Sequence, residues 1–284
     1  MRIALATCDS WPELDADGPE LRAALEAEGC TVDVHSWDAA VDWSAFDLVV
    51  IRSTWDYWDR REQFLAWTRS VPRLVNSAQV VAWNTDKTYL RRLAEAGIPI
   101  VPTTWLDPGD VFVPPSEPFV VKPSVSAGAR DTAAYEPGDD TARAHVARLH
   151  AAGKTVMVQP YVHAVDADGE TAVLVFDGEF SHGARKSAVL TRGGGEPELG
   201  SWTMDPRAPS EVEREMAMRV VEAVKGWGDD LLYARVDLLP GPVLIELEVT
   251  EPSLFLGLAP GSAQRFARAV ARRARQSAGS TPRS

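Results

Sequence analysis

Residues 231–252 read LLYARVDLLPGPVLIELEVTEP, and their alternation decides most of the fold. Arg235 and Asp237 fall on one strand face and Val236 and Leu238 on the other, while Glu246 and Glu248 oppose Ile245, Leu247 and Val249. If Pro240-Gly241 closes a hairpin with an even-numbered loop, the register brings Arg235, Asp237, Glu246 and Glu248 onto one face. Two bare carboxylates about 4 Å apart repel by roughly 4 kcal/mol at an effective dielectric near 20, which one arginine only partly offsets. A hard divalent cation resolves that repulsion, and oxygen-only ligands without histidine favour Mg²⁺ over zinc. The alternative is a solvated strand face of alternating charge. Against it, the acids are interleaved with apolar residues that must be buried.

Mg²⁺ bound by a few carboxylates commonly accompanies nucleotide phosphates, which need cations of their own. Lys122 follows the apolar run Phe119-Val120-Val121 and precedes a small-residue loop, Ser124-Val125-Ser126-Ala127-Gly128-Ala129, whose backbone N–H groups can approach phosphate. Lys87 falls in the first turn of a helix if Asn84 is its N-cap, where a cation is unfavourable unless an anion is near. An ordinary exposed lysine is the alternative there. Lys186, in SHGARKSA, has only an alternating strand pattern behind it.

Upstream, strands over 2–6, 31–34 and 47–51 with a helix over 19–29 make a β-α-β opening, and their near-continuous apolar strands favour a parallel sheet covered on both faces. Arg52-Ser53-Thr54-Trp55-Asp56-Tyr57 lies just past a strand's carboxyl end, where open α/β sheets bind ligands. Arg52, Ser53, Thr54, Asp56 and Tyr57 are therefore candidates for substrate recognition. The competing reading makes Trp55 and Tyr57 core and Arg52 a structural cap. Asp59 and Glu62 look like a capping box opening the next helix. Seven of ten tryptophans precede residue 85, which marks a boundary near 80–85. The expected division is an N-terminal parallel α/β domain over 1–83, an α+β domain with antiparallel hairpins over 84–276, and a disordered tail over 277–284. The second part opens with a helix over 85–96 and closes with one over 262–276.

Composition narrows the function. Lys+Arg number 29 against 41 Asp+Glu, a formal charge of −12, which argues against a nucleic-acid or anionic-membrane binder working through counterion release. Cys8 and Cys30 are too few for a disulfide framework and match no metal spacing, so they read as buried thiols in a reducing compartment. No run of 18 apolar residues occurs, and MRIALATCDSW reads as a strand and not a signal peptide, so a cytoplasmic protein is expected. The tryptophan-rich first third suits either a core or an interface, which leaves a homodimer open. Gly153-Lys154-Thr155 fails as a phosphate loop because Arg148 stands where its first glycine belongs, and Gly193-Gly194-Gly195 fails the dinucleotide fingerprint at Glu198 and reads as a flexible loop. The five histidines show no zinc-hydrolase pairing, and no G-x-S-x-G elbow is present.

In chain order, WNTDKTYL, FVVKPSVSAGA, VMVQPYV, SHGARKS, and RVDLL followed by LIELEVTEPSLFL resemble the ATP-grasp superfamily over residues 84–276. The resemblance implies a pre-ATP-grasp domain followed by a two-lobed ATP-grasp domain, with ATP and Mg²⁺ as cofactors and an amino-acid-like small molecule as substrate. It further implies that Lys87 and Lys122, with Ser124, Ser126, Ala127 and Gly128, hold the phosphates. Gln159, Tyr161 and Val162 would line the adenine and Glu170 would lie near the ribose. Lys186 and Arg235 would meet the transferred phosphoryl as catalytic residues, Asp237, Glu246 and Glu248 would bind Mg²⁺, and Glu251 would face the substrate. Two departures stand out: related glutathione synthetases often carry asparagine at the position of Glu248, and the phosphate loop is poor in glycine. Within the superfamily, RSTWDY, VVKPSVSAGARDT and EVTEPSLFL look most like the cyclo-ligases that close O-ureido-D-serine to D-cycloserine. That resemblance implies an acyl phosphate attacked by a nitrogen of the same molecule. The alternatives are a ligase joining two molecules, as glutathione synthetases do, and a non-catalytic ATP-binding module.

Overall fold

The computed structural model describes residues 1–190 and 203–279. Its first layer is a parallel sheet of β1 (Arg2–Thr7), β2 (Thr31–Ser36), β3 (Leu48–Ile51) and β4 (Leu74–Val75), in the order β2-β1-β3-β4. Helix α1 (Gly18–Ala27) connects β1 to β2, and α2 (Arg61–Ser70) and α3 (Ala78–Asn84) flank β4 in sequence. The chain leaves β1 toward one side and returns to β3 on the other, so the loops after β1 and β3 meet at a topological switch point. Three of the seven tryptophans feed the core of this layer: Trp37, Trp43 and Trp67 are buried with Phe46 and Phe64, whereas Trp55, Trp58 and Trp83 are half-buried and Trp11 is exposed.

Beyond α4 (Tyr89–Glu95) come two antiparallel sheets. The smaller contains β5 (Thr104–Leu106), β6 (Phe119–Pro123), β7 (Ala133–Tyr135) and β8 (Val156–Pro160), ordered β5-β8-β6-β7, with α5 (Thr141–Ala151) packed on it. After the single turn α6 (Val165–Asp168), the larger sheet is built from β9 (Glu170–Phe176), β10 (Glu179–Lys186), β11 (Met204–Pro206), β12 (Tyr233–Leu239) and β13 (Val243–Glu248), ordered β11-β10-β9-β12-β13. Helix α7 (Glu211–Lys225) opens with a true capping box between Ser210 and Glu213 and buries Met216, Val220 and Val224 under this sheet.

Several sequence expectations change. The helix expected over 85–96 is shorter and starts later, as α4 at Tyr89: Asn84 ends the preceding α3 and does not cap α4, and Lys87 lies in the turn between them and not in a first helical turn. The Asp59/Glu62 capping box does not form, because 57–59 is a 3₁₀ turn and α2 starts only at Arg61. β5, β7 and β11, three residues each, were too short to show a period. The last helix, α8 (Ser262–Gly279), runs three residues past its expected end. Its apolar stripe (Phe266, Ala267, Val270, Ala274) joins one core with Leu21 and Leu25 of α1 and Ile3, Leu5 and Val50 of the first sheet. The chain's last element therefore covers its first sheet. The glycine run 193–195 and residues 280–284 lie outside the described residues. Cys8 and Cys30 are both buried free thiols, and among the described residues no helix is long and apolar enough to cross a membrane.

Candidate active site

The 231–252 hairpin brings its charged residues to one face, though by a route the sequence did not show. Three residues, 240–242, separate the paired ends Leu239 and Val243, and an odd loop alone would set Asp237 opposite Ile245. A bulge at Ile245 inserts the missing residue, so the cross-strand pairs become Asp237–Glu246 and Arg235–Glu248. The opposite face, with Val236, Leu238, Leu244 and Leu247, is core.

Asp237 is 0% exposed and serves two cations. Arg235 grips it with Nε 2.9 Å from Oδ1 and Nη2 2.9 Å from Oδ2, and Lys186 Nζ donates to Oδ2 at 2.7 Å. Burial alone would raise this carboxyl, but Arg235 and Lys186 outweigh it and hold it down at about 2. Lys186 also pairs with Glu170 at 2.8 Å; burial opposes its charge, yet Asp237 and Glu170 raise the ammonium above the usual lysine range. Register explains the meeting, since Lys186 of β10 stands opposite Glu170 of β9, and β9 pairs with β12.

Lys87 lies 3.1 Å from Glu246 and donates to the carbonyl of Ser126 at 2.8 Å, while its own amide donates to Ser124 O. These contacts tie the α3–α4 turn to the loop after β6. In that loop Gly128, Ala129 and Asp131 all have positive φ, so the tight path expected of glycines is taken largely by other residues. Lys122, buried beside it, has no carboxylate of its own among the described residues. Burial pushes its ammonium down to about 8, with Glu246 only partly offsetting.

Negative charge on the face is not fully compensated. Glu248 touches Arg235, which it shares with Asp237, and burial together with Glu246 and Asp237 pushes it up to about 7. Burial and Glu248 push Glu251 up to about 8. Among the described residues no three His, Cys, Asp or Glu side chains are gathered tightly enough to hold a metal ion as they stand. The donor set nevertheless suits a hard cation: carboxylates only, with Glu246 and Glu248 about a quarter exposed (27% and 26%) and the cluster short of positive charge.

The remaining expected positions are distributed unevenly. Gln159 is buried and donates to Thr103 Oγ1 at 2.8 Å, and Tyr161 and Val162 follow directly at the end of β8. Asp56 accepts from Trp37 Nε1 and pairs with Arg60, and Tyr57 is buried near Glu251, where burial and then the Glu251 charge push its phenol up. Arg52, Ser53 and Thr54 are all within 1% of complete burial. Arg52 Nη2 donates to Pro252 O at 2.9 Å, its Nη1 is solvent-excluded with no hydrogen-bond partner among the described residues, and Ser53 Oγ accepts from Asp15 N. The Arg52 bond to Pro252 O is what the structural-cap alternative expects of the arginine, and Tyr57, 4% exposed, packs in the core as that alternative also has it. Asn84, which the sequence offered only as a helix N-cap, instead ends α3, and its side chain binds Leu247, Val249 and Thr250 and locks α3 onto β13 and the loop after it. Sequence inspection passed over Asp17, since Asp17 before Gly18-Pro19 signals only a helix start.

Comparison with known proteins follows this geometry. D-alanine–D-alanine ligase from Bacillus anthracis, in complex with ATP, shares the fold with a TM-score of 0.67 over 99% of this chain and 100% of that chain, at 15% identity. The architecture is that of an ATP-grasp ligase. A family model described as the N-terminal domain of the D-cycloserine synthetase DcsG matches residues 3–76. The cycloserine biosynthesis protein DcsG of Streptomyces lavendulae is 36% identical over 95% of this chain and 98% of its own length. The crystal structure of D-cycloserine synthetase DcsG superposes with a TM-score of 0.89, at 37% identity, over 96% of this chain and all of that one. The chain belongs to the DcsG family and is an ATP-dependent ligase.

Proposed function

We propose that this ligase activates the carboxylate of O-ureido-D-serine as an acyl phosphate and closes the molecule to D-cycloserine. The observation that carries the product is the whole-chain relationship to a protein described as a D-cycloserine synthetase. The convergence of Lys87, Lys122, Lys186 and Arg235 on the acidic face of β12–β13 supports the phosphoryl chemistry.

In this reading a substrate carboxylate oxygen attacks the γ-phosphorus of ATP and ADP leaves. The ureido-substituted nitrogen then attacks the acyl carbon and inorganic phosphate leaves. Water removes the carbamoyl group as carbon dioxide and ammonia. Lys122 and Lys87 hold phosphate oxygens together with the backbone of Ser124, Ser126, Ala127 and Gly128; buried Lys122 makes no ion pair among the described residues, and phosphate supplies one. Lys186 and Arg235, already fixed on Asp237, face the charge developing on the transferred phosphoryl and cost no reorganisation. Gln159, Tyr161 and Val162 line the base, with Glu170 toward the ribose. Glu246 and Glu248, backed by Asp237, would hold Mg²⁺, which when bound neutralises phosphate charge. Asp56, Tyr57 and Glu251 face the substrate.

The test is ADP release by purified protein with MgATP and O-ureido-D-serine, its L form or a panel of amino acids, with product masses read from the same reactions. A cycloserine mass with the D form establishes the reading. Release only with two-component mixtures moves the function to intermolecular ligation.

A further inference from the structure

The loop after β13 carries Glu251 into the cleft, yet almost none of its backbone is held by backbone. Four successive carbonyls accept from side chains of three separate segments, the loop after β3, β12 and β10: Glu251 O from Trp55 Nε1 at 2.9 Å, Pro252 O from Arg52 Nη2 at 2.9 Å, Ser253 O from Arg235 Nη1 at 3.3 Å, and Leu254 O from His182 Nε2 at 2.9 Å. Phe255 closes the segment at φ 52°, in the left-handed region that a phenylalanine enters only when its surroundings impose it.

Both amides flanking Phe255 go to one carboxylate. Leu254 N donates to Asp17 Oδ2 at 3.0 Å, and Leu256 N donates to Asp17 Oδ1 at 2.7 Å. Asp17 is the N-cap residue of α1, but its side chain makes no cap bond to that helix. Pro19 at the helix start has no N–H to offer, so the carboxylate is free to bind a segment more than 230 residues away in sequence. It is 7% exposed, and in a buried setting a carboxylate taking two amide bonds is among the stronger fixed contacts a loop can have.

We propose that Asp17 is a positioning residue of the substrate site: it imposes the left-handed turn at Phe255 and thereby sets the path of 251–254, with Glu251 against Tyr57 and Ser253 against Arg235. His182 restrains the same turn through its bond to Leu254 O. Its Nδ1 is 2.9 Å from Ser181 Oγ, which accepts from Arg265 Nε at 3.0 Å, so the imidazole orientation is itself fixed. The first layer, through Asp17, Arg52 and Trp55, then acts on substrate binding by shaping a loop of the second. The assignment of the loop to substrate rests on the proposed function above.

The experiment compares full-length wild type with Asp17→Ala and Asp17→Asn. The Trp55 indole N–H resonance, identified by Trp55→Phe, reports the distal end of the loop through its bond to Glu251 O, and the Trp83 indole, bonded to Asp229, serves as control. The expected result is a shifted Trp55 resonance in Asp17→Ala with Trp83 unmoved. The KM for O-ureido-D-serine is expected to rise at least tenfold while that for ATP changes less than twofold. Asp17→Asn, which keeps one acceptor oxygen, should lie between wild type and Asp17→Ala in both readouts, and it also provides the comparison should the alanine variant not fold. An unmoved Trp55 resonance, or equal rises in both KM values, overturns the positioning role. If wild type itself releases no ADP with O-ureido-D-serine, the proposed substrate fails, and the Trp55 resonance alone decides the role of Asp17.

Discussion

Replacing Lys122 with methionine should stabilise the nucleotide-free protein while weakening its hold on ATP. Lys122 is 8% exposed at the end of β6, and its ammonium is pushed down to about 8 from 10.5. A base depressed in the folded state loses stability as pH falls from the unfolded value to the folded one, and at pH 7 the full penalty is present. Holding the ammonium that far below its ordinary value costs about 3 kcal/mol, an upper bound on what removing the charge returns. Methionine has a similar length and needs no partner, so most of the packing is kept. For a chain of this size the gain corresponds to a rise of roughly 5–10 °C in the thermal midpoint. The assay is thermal unfolding of both proteins with and without MgATP. Wild type should gain about 2.7 kcal/mol at a hundredfold excess of ligand over Kd, and the variant should gain much less. A variant less stable than wild type without nucleotide, or equally stabilised by ATP, would refute the claim that Lys122 is a strained cation awaiting phosphate.

Three further outcomes follow from the same face. Asp237→Asn leaves Arg235 and Lys186 without the anion they share, and should cost about 3–5 kcal/mol in urea unfolding at pH 7 along with all turnover. Because its carboxyl is held down at about 2, the stability it contributes is present above the ordinary aspartate value and lost as pH falls from there through about 2, which acid unfolding of the two proteins checks. Glu246→Gln should abolish substrate-dependent ADP release while circular dichroism stays near wild type, with some loss in the thermal midpoint because Lys87 loses its carboxylate; unchanged turnover removes it from the metal assignment. Mg²⁺ binding should release protons near neutral pH, because burial and the neighbouring carboxylates push Glu248 up to about 7, and the affinity should fall as pH drops; titration calorimetry in two buffers of different ionisation enthalpy measures both.

How much of the site was legible in the sequence depends on the range of the interaction involved. Strand alternation is local, so Arg235, Asp237, Glu246 and Glu248 could be sorted by face from 231–252 alone. Their joint register could not. The loop is odd, and only the bulge at Ile245, a feature of strand pairing, restores the pairs. Capping signals were mixed for a similar reason. Ser210 and Glu213 sit on one helix and cap it, whereas Asn84 and Asp17 look like local caps and spend their hydrogen bonds on β13 and on the loop after it.

From the sequence by itself came the parallel opening layer, the acidic face with its arginine, the lysines at strand ends and the family pattern that links them, because period, composition and motif order are properties of neighbouring residues. Tertiary structure alone decided that α8 closes the first layer, that Arg52 supports a loop from beneath, and that Lys186 and Arg235 share Asp237. Each of these joins groups 50 to 200 residues apart or depends on burial, and burial decides whether a charge remains a solvated surface group or becomes a strained one that needs a partner.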